Sequence, residues 1–131
     1  MNLLDENFPQ DRRPLLQAWG IHFRQVGNEF ATRGVKDPNL LPLLHRRRNT
    51  TFITQDKGFF DPALCHPRYC LALIDASPDD AAYFVRRFLR HPRFNTNARR
   101  MGLVVRVHRE AIHFWRRGHA TLQRADWPAN R

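Results

Sequence analysis

The stretch Tyr69-Cys70-Leu71-Ala72-Leu73-Ile74-Asp75, continued by Ala76-Ser77-Pro78-Asp79-Asp80 and an amphipathic run to Arg90, decides the fold class. A near-continuous apolar run suits a strand covered on both faces, because a strand with one wet face alternates. It ends by releasing an acid, Asp75. Ser77 and Pro78 then supply a cap candidate and a first-turn proline, and Asp79 and Asp80 sit beside the positive end of the coming helix dipole. Ala81, Phe84, Val85, Phe88 and Leu89 fall on one stripe, with Arg86, Arg87 and Arg90 opposite, which predicts a helix with a core face and a basic outer face. Pro92 closes it. Strand followed by crossover helix is the repeating unit of an α/β fold.

Upstream, Thr50 to Thr54 is β-branched and bounded by polar residues, a strand that delivers Asp56. Asn2-Leu3-Leu4 is a short strand cut off by Asp5 and Glu6. Between them the spacing predicts a helix over Pro14 to Trp19 ended by Gly20, a strand within Ile21 to Val26, and a helix entered at Asp37-Pro38 that runs to Leu44 and Arg47. Pro42 should shorten or kink that last helix. Downstream, Leu103 to Val107 and Ala111 to Trp115 read as a C-terminal β-hairpin. The expected architecture is a three-layer α/β/α sandwich with a mostly parallel sheet. It forms a single domain over residues 1–118, and residues 119–131 form a tail that is partly ordered at best.

The chain carries 22 basic residues against 12 acidic ones, a formal net charge of +10. Twenty of the basic residues are arginine, the side chain whose planar fork matches phosphate and carboxylate. Such a balance raises the odds of a polyanionic partner, nucleic acid or an acidic protein. Arg46, Arg47 and Arg48 form one basic run, and Arg86, Arg87 and Arg90 form the basic face of the helix after Asp75. No apolar run approaches the ~18 residues of a membrane span, and the start MNLLDEN lacks a basic, apolar leader pattern. A cytoplasmic protein with no membrane partner is expected.

Three separate strand ends release Asp5, Asp56 and Asp75, and in a parallel sheet those ends share one edge. Asp37, at a helix start, is a candidate to join them. Gathered carboxylates repel one another, so the arrangement favours a hard divalent cation such as Mg²⁺ or Mn²⁺. Each aspartate also has an ordinary role open to it as a helix cap or a strand terminator.

Leu3-Leu4-Asp5-Glu6-Asn7-Phe8-Pro9, the Val35-Lys36-Asp37 helix entry and Thr51-Phe52-Ile53-Thr54-Gln55-Asp56 together resemble the PIN-like group, whose members open with an LLDEN motif and carry T-x-D after a later strand. The resemblance spans residues 1 to about 117. It implies a metal-dependent endoribonuclease, often the toxin half of a toxin–antitoxin pair and often a homodimer. The cofactor it implies is Mg²⁺ or Mn²⁺ at Asp5, Asp37 and Asp56, with Asp75 the nearest match to a fourth catalytic acid. Thr54 would assist by hydrogen bonding, and Glu6 and Asn7 would orient the ligands. The implied partners are an RNA substrate, held by the arginine surface, and an acidic antitoxin.

Other chemistries fit less well. A phosphoacceptor receiver domain needs a lysine after its fifth strand, and the chain has none after Lys57. Cys65, His66 and Cys70 lack a fourth ligand at zinc spacing. The alternative of another class is a non-enzymatic basic module that binds nucleic acid or an acidic protein.

Overall fold

The computed structural model describes residues 1–27 and 37–129; the side chains of residues 37–39 lie outside the described set. Seven strands form one sheet: β1 (Asn2–Leu4), β2 (Arg24–Gln25), β3 (Thr50–Thr54), β4 (Tyr69–Ile74), β5 (Leu103–Val107), β6 (Ala111–Arg116) and β7 (Gln123–Asp126). Their spatial order is β2-β1-β3-β4-β5-β6-β7. β2, β1, β3, β4 and β5 run parallel, whereas β6 and β7 continue the sheet antiparallel.

Both faces of the parallel part are covered, as the apolar runs require. Every residue of β3 and β4 is buried. Side-chain alternation sends Leu4, Ile53, Ala72, Ile74 and Val105 to one core, with α1 (Arg13–Ala18) and α3 (Ala81–Arg90) packed over it through Leu16, Phe84, Val85 and Phe88. Leu3, Phe52, Leu71 and Val104 enter a second core beneath α2 (Asp37–Arg46), whose Leu40 and Leu44 are buried there with Phe59. The result is a three-layer α/β/α arrangement. A short α4 (Asn97–Arg100) leads into β5.

Several local expectations are revised. Ser77 does not cap a backbone N–H; its hydroxyl bonds Asp80 Oδ2 at 3.2 Å, and a 3-10 turn over Pro78–Asp80 precedes α3. The strand expected within Ile21 to Val26 shrinks to Arg24–Gln25. Pro42 lies inside α2, and the helix continues past it to Arg46. The tail expected from residue 119 contains β7, which makes the C-terminal hairpin a three-stranded antiparallel unit. Three contacts hold it: Ala125 is buried in the first core, His91 Nε2 lies 2.8 Å from the Asp126 carbonyl, and Trp127 Nε1 donates to the His108 carbonyl at 2.9 Å.

Arg100 ties the layers together. It is 6% exposed, and its guanidinium donates to Thr51 Oγ1, the Phe94 carbonyl and Asn97 Oδ1 at 2.9, 2.7 and 2.8 Å. A buried charge is tolerable only with its donors engaged, and truncation strands three acceptors. Arg100→Ala should therefore lower the unfolding free energy by about 3 kcal/mol. Urea denaturation checks this, and a change within 0.5 kcal/mol, roughly the spread for neutral surface changes, would refute it.

Candidate active site

The parallel strands bring Asp5, Asp56 and Asp75 to one edge of the sheet, after β1, β3 and β4. Alternation also gives Asp5, Thr54 and Asp75 the same face as Leu3, Phe52 and Leu73. It is the face covered by α2. Because β2 and β3 are both parallel to β1, α2 between them returns from that edge, so its first residue, Asp37, begins beside it. The Asp37 side chain is outside the described set.

Backbone bonds fix the edge. The Asp5 N–H donates to the Ile53 carbonyl and the Asp75 N–H to the Val107 carbonyl, both at 2.8 Å, so each ladder extends one residue past its strand. Two glutamines brace the ends. Buried Gln25 donates to the carbonyls of Asp5 and Phe8, both at 3.0 Å, while Arg13 donates to its Oε1 at 2.8 Å. Gln55 Nε2 donates to the carbonyls of Ile74 and Ala76 at 3.3 and 2.8 Å.

Thr54, fully buried, links two of the acids. Its hydroxyl donates to Asp5 Oδ2 at 2.6 Å and accepts the Asp56 N–H at 3.0 Å. The first bond is short because the acceptor is a carboxylate. Asp56 Oδ1 accepts the Gly58 N–H at 2.9 Å, which caps the 3-10 turn Lys57–Phe59. Asp5 Oδ1 and Asp56 Oδ2 make no hydrogen bond among the described residues, and neither carboxylate has a cationic partner there.

Asp75 is differently placed. Its Oδ2 accepts Arg106 Nε at 2.8 Å in an ion pair, so its charge is already balanced. Glu6 and Asn7 lie in the turn closed by the Phe8 N–H to the Asp5 carbonyl at 3.0 Å, with Asn7 exposed. Neither basic cluster flanks the acids. Arg46, Arg47 and Arg48 end α2 at the opposite edge, beside the Asn49 N–H bond to the Arg68 carbonyl. Arg86, Arg87 and Arg90 stand on α3, over the other face of the sheet. There they line a groove of about 350 Å³ with Tyr83 and Trp127, and Arg87 lies 4.1 Å from the Trp127 ring centroid. Lys57 and Arg106 line a cleft of about 240 Å³ at this edge with Phe60, Leu73 and Asp75. Sequence reasoning missed Arg106 because a lone arginine in an apolar strand carries no motif. Its alignment with Leu73 across the sheet, which places it beside Asp75, exists only once the strands are paired.

Among the described residues no group of three or more His, Cys, Asp or Glu converges to hold a metal ion. Asp5 and Asp56 offer two carboxylates, and Mg²⁺ commonly binds through only one or two, completing its shell with water and substrate phosphate. The donor set thus suits a hard cation. The cysteine region does not form a site: Cys70 is fully buried, its thiol pushed up to about 12, and Cys65 Sγ faces the Trp115 carbonyl at 3.7 Å. No helix among the described residues is long and apolar enough to cross a membrane. No family model matches the chain, and comparison with curated proteins and with solved structures gives no match.

Two consequences are measurable. Thr54→Val keeps shape but strands the Asp56 N–H and a lone pair of Asp5, so it should cost ~1–3 kcal/mol of stability, largely restored by Thr54→Ser; equal stabilities by chemical denaturation would contradict the linkage. Near the same edge, His108 Nε2 lies 2.8 Å from His113 Nδ1. Burial, then Arg106 and His113, push the His108 pKa below the ordinary histidine value, against smaller opposite pulls from Glu110 and Asp75. The folded state therefore binds fewer protons at His108 than the unfolded one, and stability falls as pH drops from about 7 to about 5. His108→Gln should flatten that part of the Tm profile, and an unchanged slope would refute it.

Proposed function

We propose that this chain is a PIN-like, metal-dependent endoribonuclease in which Asp5 and Asp56 hold the cation and Thr54 positions both. The observation that supports this reading most is that one buried hydroxyl bonds both the Asp5 carboxylate and the Asp56 backbone N–H, bringing to one edge two aspartates that each keep an uncommitted carboxylate oxygen and form no ion pair among the described residues, in a protein of net charge +10. Carboxylates brought to one edge without a counter-charge repel one another, and a bound cation would relieve that repulsion. Asp37 is the third ligand by the resemblance, and α2 starts at the matching edge. Asp75, balanced by Arg106, is not counted as a ligand.

A bound Mg²⁺ or Mn²⁺ would lower the pKa of a coordinated water and neutralise charge developing on the phosphodiester. The protein's own part is to fix the carboxylates. The two glutamine braces hold the strand ends, the Thr54 hydroxyl sets the Asp5 rotamer, and the Gly58 N–H sets that of Asp56. Pairing with an acidic antitoxin, or with a second copy, rests on the resemblance alone.

A second reading is the basic binding module, favoured by one specific observation: Arg86, Arg87 and Arg90 have no carboxylate partner among the described residues and share a groove with two aromatic rings. A groove of this kind fits a polyanion without any chemistry.

Incubation of a labelled RNA pool with Mn²⁺, Mg²⁺ or EDTA separates the two readings. Wild type should cut only with metal, and Asp5→Asn and Asp56→Asn should each lose roughly a hundredfold or more in rate. Undiminished cutting by both variants would sink the metal assignment; binding without cutting in every condition would favour the binding module.

A further inference from the structure

The Asp75–Arg106 pair is the one strongly organised charge contact at the acidic edge, and the proposed metal chemistry leaves it unused. Arg106 is engaged only through Nε. Its two terminal nitrogens make no hydrogen bond among the described residues, and its side chain is 39% exposed. A guanidinium held by a carboxylate at Nε is oriented at little further entropic cost, and its terminal N–H groups remain to grip an oxyanion.

Its surroundings specify what that oxyanion belongs to. The cleft of about 240 Å³ is lined by Lys57, Arg106 with its partner Asp75, the half-buried Phe60 and Leu73. Two cations and an aromatic wall are the combination by which proteins hold single-stranded nucleic acid, phosphate on the charges and base on the ring. The volume lies below the ~300–1,000 Å³ of drug-sized pockets, which suits part of one nucleotide. Position matters too. β4 and β5 lie one and two strand widths beyond β3, roughly 5 and 10 Å from the Thr54 end, within reach of a nucleotide next to one held at Asp5 and Asp56. Lys57 directly follows Asp56, so one turn contributes to both places.

We infer that the Lys57–Phe60–Arg106 cleft is the subsite for the nucleotide adjoining the scissile phosphodiester of a single-stranded substrate, with Asp75 a positioning residue that acts through Arg106. This rests on the nuclease reading. Lys57 and Arg106 take the phosphate, and Phe60 takes the face of the base. Asp75 has a second effect: by neutralising itself on Arg106 it withholds a negative charge that would otherwise repel the backbone.

The test is binding of a fluorescein-labelled, six-nucleotide, mixed-sequence single-stranded RNA in EDTA, read by anisotropy over a salt series, alongside steady-state cleavage in Mn²⁺. Arg106→Ala and Phe60→Ala should each weaken metal-free binding about tenfold, and in cleavage should raise KM more than they lower kcat. Arg106→Ala should also reduce the slope of log affinity against log salt by about one, a change that a merely structural role would not produce. Phe60→Leu keeps the packing and should still weaken binding. Asp75→Asn should weaken binding in the wild-type background but not in Arg106→Ala. Cleavage by wild type with affinity, salt slope and KM unchanged in folded Arg106→Ala and Phe60→Leu variants would overturn the subsite. Absence of cleavage by wild type, with metal-free binding still lost in those variants, would overturn the nuclease reading and leave a nucleotide-binding cleft.

Discussion

Parallel pairing of β1 with β3, and of β3 with β4, governs everything that follows at the candidate site. Once Leu3 stands opposite Phe52 and Phe52 opposite Leu71, the first residue beyond each strand is committed to one edge and one face. A slip of one residue in β3 would turn Thr54 into the other core and remove the hydroxyl that Asp5 and Asp56 share. The two glutamine braces guard that register, because Gln25 and Gln55 each donate to two carbonyls at or just past a strand end. Hydrophobic burial of the Phe52 and Ile53 faces and polar order at the edge are thus the same constraint seen from two ends.

Three aspartates reach this edge, yet they are electrostatically unlike. Asp5 and Asp56 are linked to each other through Thr54 and form no ion pair among the described residues; Asp75 is matched by Arg106. The strand sequence accounts for the difference. Arg106 is the one charged residue of β5, and its alignment with Leu73 places it beside the residue that follows β4 by one turn of the pleat. Balancing Asp75 internally reserves the remaining negative charge for the β1 and β3 ends. It also sets a cation beside them, which suits an arrangement that binds metal at one place and phosphate at the next.

The layered α/β arrangement was legible because its signals are local: all-apolar runs at Tyr69–Ile74, amphipathic spacing over Ala81–Arg90, and acids at strand ends. Asp5, Thr54 and Asp56 were legible through the LLDEN and T-x-D resemblance, and the Thr54 bonds give that spacing a physical basis. What escaped depends on pairing across the sheet. β7 has one buried apolar residue, Ala125, so no periodicity announces it. Gln25, Gln55 and Arg106 are single polar residues whose roles exist only after their neighbours are in register. Where the charge runs lie relative to the acids likewise depends on topology. Arg46 to Arg48 and Arg86 to Arg90 are conspicuous in sequence, but topology places them at the far edge and over the opposite face, and the two cations that line the cleft with Asp75, Lys57 and Arg106, belong to no run.

The edge formed by β1 and β3, on the α2 face, is proposed as a cation site. Anomalous diffraction from crystals grown with Mn²⁺ tests it most directly. The account predicts a manganese peak in contact with Asp5 and Asp56 that disappears in Asp56→Asn crystals. A peak elsewhere, or none at this edge with Thr54 still bonded to the Asp5 carboxylate and the Asp56 N–H, would contradict it.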